Sequence, residues 1–179
     1  MRHIRRGGTI YSRVADPDWD DPLDPGYAAA SGGRWNPAGA FGVLFLNASR
    51  DVARTNVARY FDGQPYGPED LAPGAGPILV ELVAPDTSYV DALTDRGLRS
   101  LDLPETYPRH RNGRRVSWST CQPIGLRAWQ AGEAGIACRS AAVRHPARGE
   151  DLAWFARGRR PRARASYAFE DWFWNKPLT

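Results

Sequence analysis

Apolar and polar residues alternate over residues 9–14 (T-I-Y-S-R-V), the period of two that predicts a strand carrying Arg13 near its end. The short apolar runs at 42–46 (G-V-L-F-L) and 78–83 (I-L-V-E-L-V) predict buried strands, with Glu81 alternating away from Leu82. Residues 136–142 predict another strand, bearing Ser140. Helical signals are fewer. Ser49 stands where an N-cap belongs and Asp51 falls in the first turn, so 51–61 predicts a helix that sets Asn56 near the strand end at Leu46. Residues 124–131 predict a helix entered after Pro123 and stopped by Gly132, with Trp129 on its apolar side. Short helices are expected at 91–100 and, amphipathically, at 150–156. Proline, glycine and charge mark 16–25, 63–77 and 104–115 as loops, and the aromatic tail 167–174 is expected to pack back on the domain. Strands and helices follow no strict alternation, which implies an α+β fold rather than a doubly wound sheet.

Residues 32–39, G-G-R-W-N-P-A-G, fit neither period. Gly32 and Gly33 let the backbone turn and approach a ligand, Arg34 offers a planar fork of donors suited to phosphate, and Trp35 offers a stacking face. A purely structural turn, with Trp35 in the core and Arg34 in solvent, uses the same vocabulary. Local composition leaves both open.

A chain of 179 residues with 42% hydrophobic content suits one core, so residues 1–179 are read as a single domain. No apolar run reaches the roughly eighteen residues of a membrane span, and the start of the chain lacks a signal-peptide pattern; a cytoplasmic protein without membrane contact is expected. The net charge of +4 is uneven, with a net acidic first half and a net basic second half. Basic clusters stand at Arg109, Arg111, Arg114 and Arg115, and again at Arg157, Arg159, Arg160, Arg162 and Arg164. Arginine almost excludes lysine and no nucleic-acid-binding signature accompanies the clusters, so solvated loop charge ranks ahead of nucleic-acid binding.

Several chemistries find no support. His3, His110 and His145 are isolated, and Cys121 and Cys138 form no C-x-x-C pair, so no metal site is expected and the thiols are read as buried. Neither a P-loop nor a dinucleotide fingerprint is present, so no bound cofactor is expected. Ser140 lacks the glycines of a nucleophile elbow.

The order of motifs nevertheless resembles the RES domain family, named for an arginine, a glutamate and a serine. The matching elements are Tyr11-Ser12-Arg13, the segment 32–39, Leu44-Phe45-Leu46-Asn47, Ala53-Arg54-Thr55-Asn56, Ala128-Trp129 and Cys138-Arg139-Ser140-Ala141. They span a motif-bearing core of about 9–156, leaving an aromatic tail at 157–179. The resemblance implies a mixed sheet with flanking helices, similar to ADP-ribosyltransferase toxins. It also implies NAD as substrate rather than cofactor, cleavage of the nicotinamide–ribose bond by hydrolysis or phosphorolysis, a homodimer, and a protein antitoxin as partner. Arg13, Arg34, Asn56 and Ser140 would form the catalytic set. Gly33, Trp35, Asn36 and Phe45 would bind substrate, with Trp35 and Phe45 walling the nicotinamide end.

Two positions depart from the family pattern. The family glutamate falls at Asn56, and Phe45 replaces the usual tyrosine. An amide accepts a ribose hydrogen bond but does not offset developing positive charge. Either another acid substitutes, Glu81 being the first candidate, or the domain is a catalytically impaired nucleotide-binding or protein-interaction module.

Overall fold

The strands form one eight-stranded mixed sheet in this computed structural model, which describes residues 1–143 and 149–174. His145 lies outside the described residues. The strands are β1 (His3–Arg6), β2 (Ile10–Ala15), β3 (Val43–Asn47), β4 (Ile78–Val83), β5 (Thr87–Ala92), β6 (Gly135–Arg139), β7 (Glu150–Phe155) and β8 (Arg162–Tyr167). Their order across the sheet is β1-β5-β6-β7-β3-β2-β4-β8, with β5 and β6 parallel and the other neighbours antiparallel. The helices are α1 (Gly26–Ser31), α2 (Arg50–Ala58), α3 (Asp95–Ser100), α4 (Trp118–Gln130) and α5 (Phe169–Trp172). The expected α+β architecture is what forms.

Burial divides between the two faces. Ile124 and Ala128 of α4 cover Trp35, Val43, Cys138 and Phe155 on one face, while Tyr11, Leu46, Leu82, Leu152 and Trp154 form the core of the other. A third cluster joins Ala53 and Val57 of α2 to Leu79, Phe169 and Trp172, so the aromatic tail does pack back.

Several expected elements change. Residues 150–156 are not an amphipathic helix: β7 lies between β6 and β3, and Leu152 through Phe155 are all buried. A strand covered on both faces loses its alternation and reads as a short apolar run, which pattern alone does not distinguish from a helical segment. Residues 91–100 divide between the end of β5 and α3, because the Thr94 hydroxyl accepts from the Gly97 amide at 3.0 Å and starts the helix there. Helix α4 begins before Pro123, at a cap where Ser117 Oγ accepts from the Thr120 amide at 3.2 Å. Strands β1 and β8 sit at the sheet edges, in segments whose arginines hid their pairing. The cap of α2 is as expected, with Ser49 Oγ accepting from the Val52 amide at 3.2 Å, although the helix ends at Ala58. Among the described residues no helix is long and apolar enough to cross a membrane.

The tail should matter to stability. Trp172 is fully buried and its indole N–H donates to the Pro77 carbonyl at 2.9 Å. Trp172→Ala should cost about 3–5 kcal/mol in urea unfolding, whereas substitution of half-exposed Trp174 should shift the midpoint little.

Candidate active site

The sheet opens where β2 and β3 meet, for these strands pair only at Ser12 and Asn47. Val14 and Phe45, which continued pairing would bring opposite each other, instead line a cavity of about 540 Å³. Arg13 sits at the same opening, 6% exposed. Its Nε donates to the Pro22 carbonyl at 2.9 Å and its Nη1 to the Phe45 carbonyl at 3.3 Å, while Trp19 lies 5.7 Å from the guanidinium. Burial lowers the Arg13 pKa to about 10, so the group stays charged at neutral pH.

The glycine-rich turn forms the adjoining wall. Gly32 caps α1 at a φ of 74°, and a Cβ there would lie 2.8 Å from the Ala38 nitrogen. A Cβ on Gly33 would come 2.5 Å from the Phe45 ring. Asn36 is wholly buried and donates to the carbonyls of Ala28 (2.5 Å) and Phe41 (3.1 Å); Gln122 of α4 donates to the Gly33 carbonyl at 2.9 Å. These bonds fix the turn and give Asn36 a structural position away from the cavity wall. Trp35 likewise points into the core, 1% exposed, with its indole N–H on Cys138 Sγ at 3.4 Å. Side chains on successive residues of the tight turn diverge, so anchoring Trp35 inward leaves Arg34 on the cavity, where it donates to the Val116 carbonyl at 3.0 Å.

More cations converge on this wall. Arg59, just after α2, donates to the Ala141 carbonyl and lines the cavity with Arg115. Burial lowers the Arg59 pKa, and the nearby positive charges of Arg115, Arg109 and Arg34 lower it further. Arg109 and Arg115 face each other across a β-bridge. Such a concentration of guanidinium groups gives the wall a positive potential suited to an anion. Trp19, Tyr27, Tyr60 and Trp118 surround the cavity, the last three largely exposed.

Asp151 supplies the opposite charge. It lies in β7 opposite Asn47 of β3 and Cys138 of β6, and its Oδ1 accepts from Asn47 Nδ2 at 2.7 Å. Desolvation raises its pKa to about 6, against the Asn47 bond, the neighbouring Ser140 hydroxyl and the Arg34 charge, which all favour ionisation. Ser140 itself is fully buried just beyond β6, its Oγ accepting from the Ala142 amide at 3.2 Å. It stands behind Asp151 rather than on the cavity surface.

Of the residues expected from sequence, Arg13, Gly33, Arg34, Phe45 and Asn56 therefore gather on one cavity. Trp35, Asn36 and Ser140 support it from behind. Glu81 is elsewhere, held by Arg50 at 2.8 Å and by the Tyr167 hydroxyl at 3.3 Å. Sequence reasoning missed Asp151, Asn47, Arg59, Arg115 and the aromatic rim. The pairing of Asn47 with Asp151 becomes visible only when 150–155 is placed beside β3. Among the described residues, no group of three or more His, Cys, Asp or Glu is placed to hold a metal ion.

The family model described as RES domain matches residues 10–173. No curated protein sequence matches the chain. Among solved structures, a chain in the crystal structure of the M. tuberculosis MbcT–MbcA toxin–antitoxin complex is similar with a TM-score of 0.76 and 23% identity, over 97% of this chain and 92% of that one.

The raised Asp151 pKa has a stability signature. A carboxyl in the unfolded chain loses its proton near about pH 4, while folded Asp151 keeps it to about pH 6. The folded state binds more protons in between, so this contribution to stability is present below the lower value and lost as pH rises through the upper one. Asp151→Asn should therefore gain stability relative to the parent chain between pH 4 and pH 7.5, measured by urea unfolding at both.

Proposed function

The chain belongs to the RES domain family, and from that membership we propose that its cavity binds NAD and splits the nicotinamide–ribose bond. The observation that carries this reading is the pairing, in one cavity, of several arginines with one carboxyl and an aromatic rim. Arg13, Arg34 and Arg59 bond to carbonyl oxygens, which leaves their positive charge available to a diphosphate. Trp19, Tyr27, Tyr60 and Trp118 offer faces for the flat rings at the two ends of the substrate. Breaking the bond builds positive charge on the ribose as neutral nicotinamide leaves, and a site that fixes both ends holds the ribose in place for attack. A protein antitoxin that covers the cavity belongs to the same reading, supported by the exposed aromatics at its edge and by the toxin–antitoxin complex in which the similar structure occurs.

Asn56 favours a second reading, a pocket that binds nucleotide without turnover, because an amide on α2 offers no charge to an oxocarbenium-like centre. Incubation with millimolar NAD, with and without phosphate, separates the two. Nicotinamide release, cut about a hundredfold by Arg34→Ala, supports cleavage, and phosphate dependence distinguishes phosphorolysis from hydrolysis. Binding of ADP-ribose without release supports the second reading; neither binding nor release rejects both.

A further inference from the structure

We propose that Asp151 is the catalytic carboxylate of this cavity, facing the nicotinamide ribose and offsetting the positive charge that develops on it, with Asn47 and Ser140 as its positioning residues. The inference rests on the NAD-cleaving reading and names the group that performs its central electrostatic task. Among the described residues lining the cavity, Asp151 is the one carboxylate, set against Arg13, Arg34, Arg59 and Arg115. Glu81, the acid first considered from sequence, is held by Arg50 and Tyr167 away from the cavity.

The mounting of Asp151 fits such a role. It extends from the central strand β7, flanked on both sides, so its backbone is fixed by two ladders. Asn47 on β3 occupies Oδ1 at 2.7 Å, which sets the plane of the carboxylate, and Asn47 is itself 8% exposed. Ser140, fully buried behind it, favours the ionised form. One carboxylate oxygen is thus committed to the scaffold while the group lines the cavity. An ionised carboxylate kept out of bulk water interacts more strongly with a nearby cation than a solvated one does.

The reaction balances without a further reagent. The C1′–N bond breaks and its electron pair goes to the ring nitrogen, turning the pyridinium of NAD into neutral nicotinamide. A new C1′–O bond forms to water or phosphate on the opposite side, and when water attacks, its proton is released to solvent. Asp151 remains a carboxylate throughout. Its task is to be charged, so the protonated enzyme should be slow.

The groups acting on its titration come from several elements: Asn47 on β3, Ser140 just beyond β6, Glu150 beside it on β7 and Arg34 on the turn, while its own charge raises the pKa values of Cys138 on β6 and Tyr107. Arg34 and the hydrogen-bonding groups favour ionisation, while burial and Glu150 oppose it. The hydrolytic kcat/KM, which reports the free enzyme, should accordingly rise with pH through an inflexion near 6.

The test uses the full chain with NAD in phosphate-free buffer, following nicotinamide release, and calorimetric binding of ADP-ribose as a readout independent of turnover. Asp151→Asn keeps the shape and the Asn47 contact; it should lose about a hundredfold in kcat, bind ADP-ribose within about threefold of the parent, and flatten the pH profile. Asn47→Ala should displace the inflexion upward, as a positioning residue would, and Glu81→Gln should leave kcat unchanged. If Asp151→Asn does not fold, the parent profile decides: a kcat/KM flat from pH 5 to 7.5 overturns the assignment. An active parent with an equally active Asp151→Asn overturns this inference alone. A parent that releases no nicotinamide overturns the cleavage reading and this inference with it.

Discussion

The guanidinium of Arg13 bridges the opening in the sheet, and the cavity depends on that bridge. Strands that pair at one position and then part leave backbone carbonyls facing an interior without ladder partners, which is costly unless a donor reaches them. Arg13 reaches two, Phe45 on β3 and Pro22 on the preceding loop, and so turns an unzipped seam into a fixed wall. Its charge is buried among carbonyl dipoles, with Trp19 beside it. The same bonds that hold the strands apart leave a cation at the cavity for an anionic ligand.

The glycine-rich turn solves a complementary problem, placing one arginine on a surface while the residue after it enters the core. Gly125 shows how close the fit is: a Cβ there would lie 1.6 Å from the Trp35 carbonyl oxygen, so α4 packs directly on the turn backbone. With Trp35 locked under α4 and Asn36 tied to α1 and Phe41, Arg34 has little freedom left in its backbone. Preorganisation of this kind lowers the entropy lost on binding. It also shows why the two sequence readings of 32–39 were not exclusive, since Trp35 is the core plug of one and Arg34 the ligand-facing group of the other.

Local chemistry was legible in the sequence and long-range pairing was not. The cap at Ser49, the strand at Ile78–Val83 and the turn at 32–39 each carry a local signal, a capping hydroxyl, an apolar run or paired glycines, and these are where reading and structure agree. Residues 150–156 failed because burial on both faces erases alternation, and Asp151 was lost with them. Arg59 and Arg115 lie far apart in the chain, on the end of a helix and in a charged loop, and nothing near either in sequence signals the other. Ser140 was found through its motif, but sequence order does not say which of two neighbours faces a cavity, and in the fold it lies buried beside Asp151.

Folding also explains the uneven charge. The basic stretch 109–115 brings Arg115 to the cavity and Arg109 within range of Arg59, where they join Arg34 from the acidic half. The second cluster has a different fate: Arg160 pairs with Asp21 and the Leu23 carbonyl, and Arg157 lies 4.0 Å from the Trp129 ring. Arg115 of the first cluster thus joins the cavity wall, while Arg157 and Arg160 of the second tether their loop to the fold. Arg34, Arg59 and Arg115 thereby set positive charge on the same concave site as Asp151, which is the juxtaposition that the proposed cleavage requires.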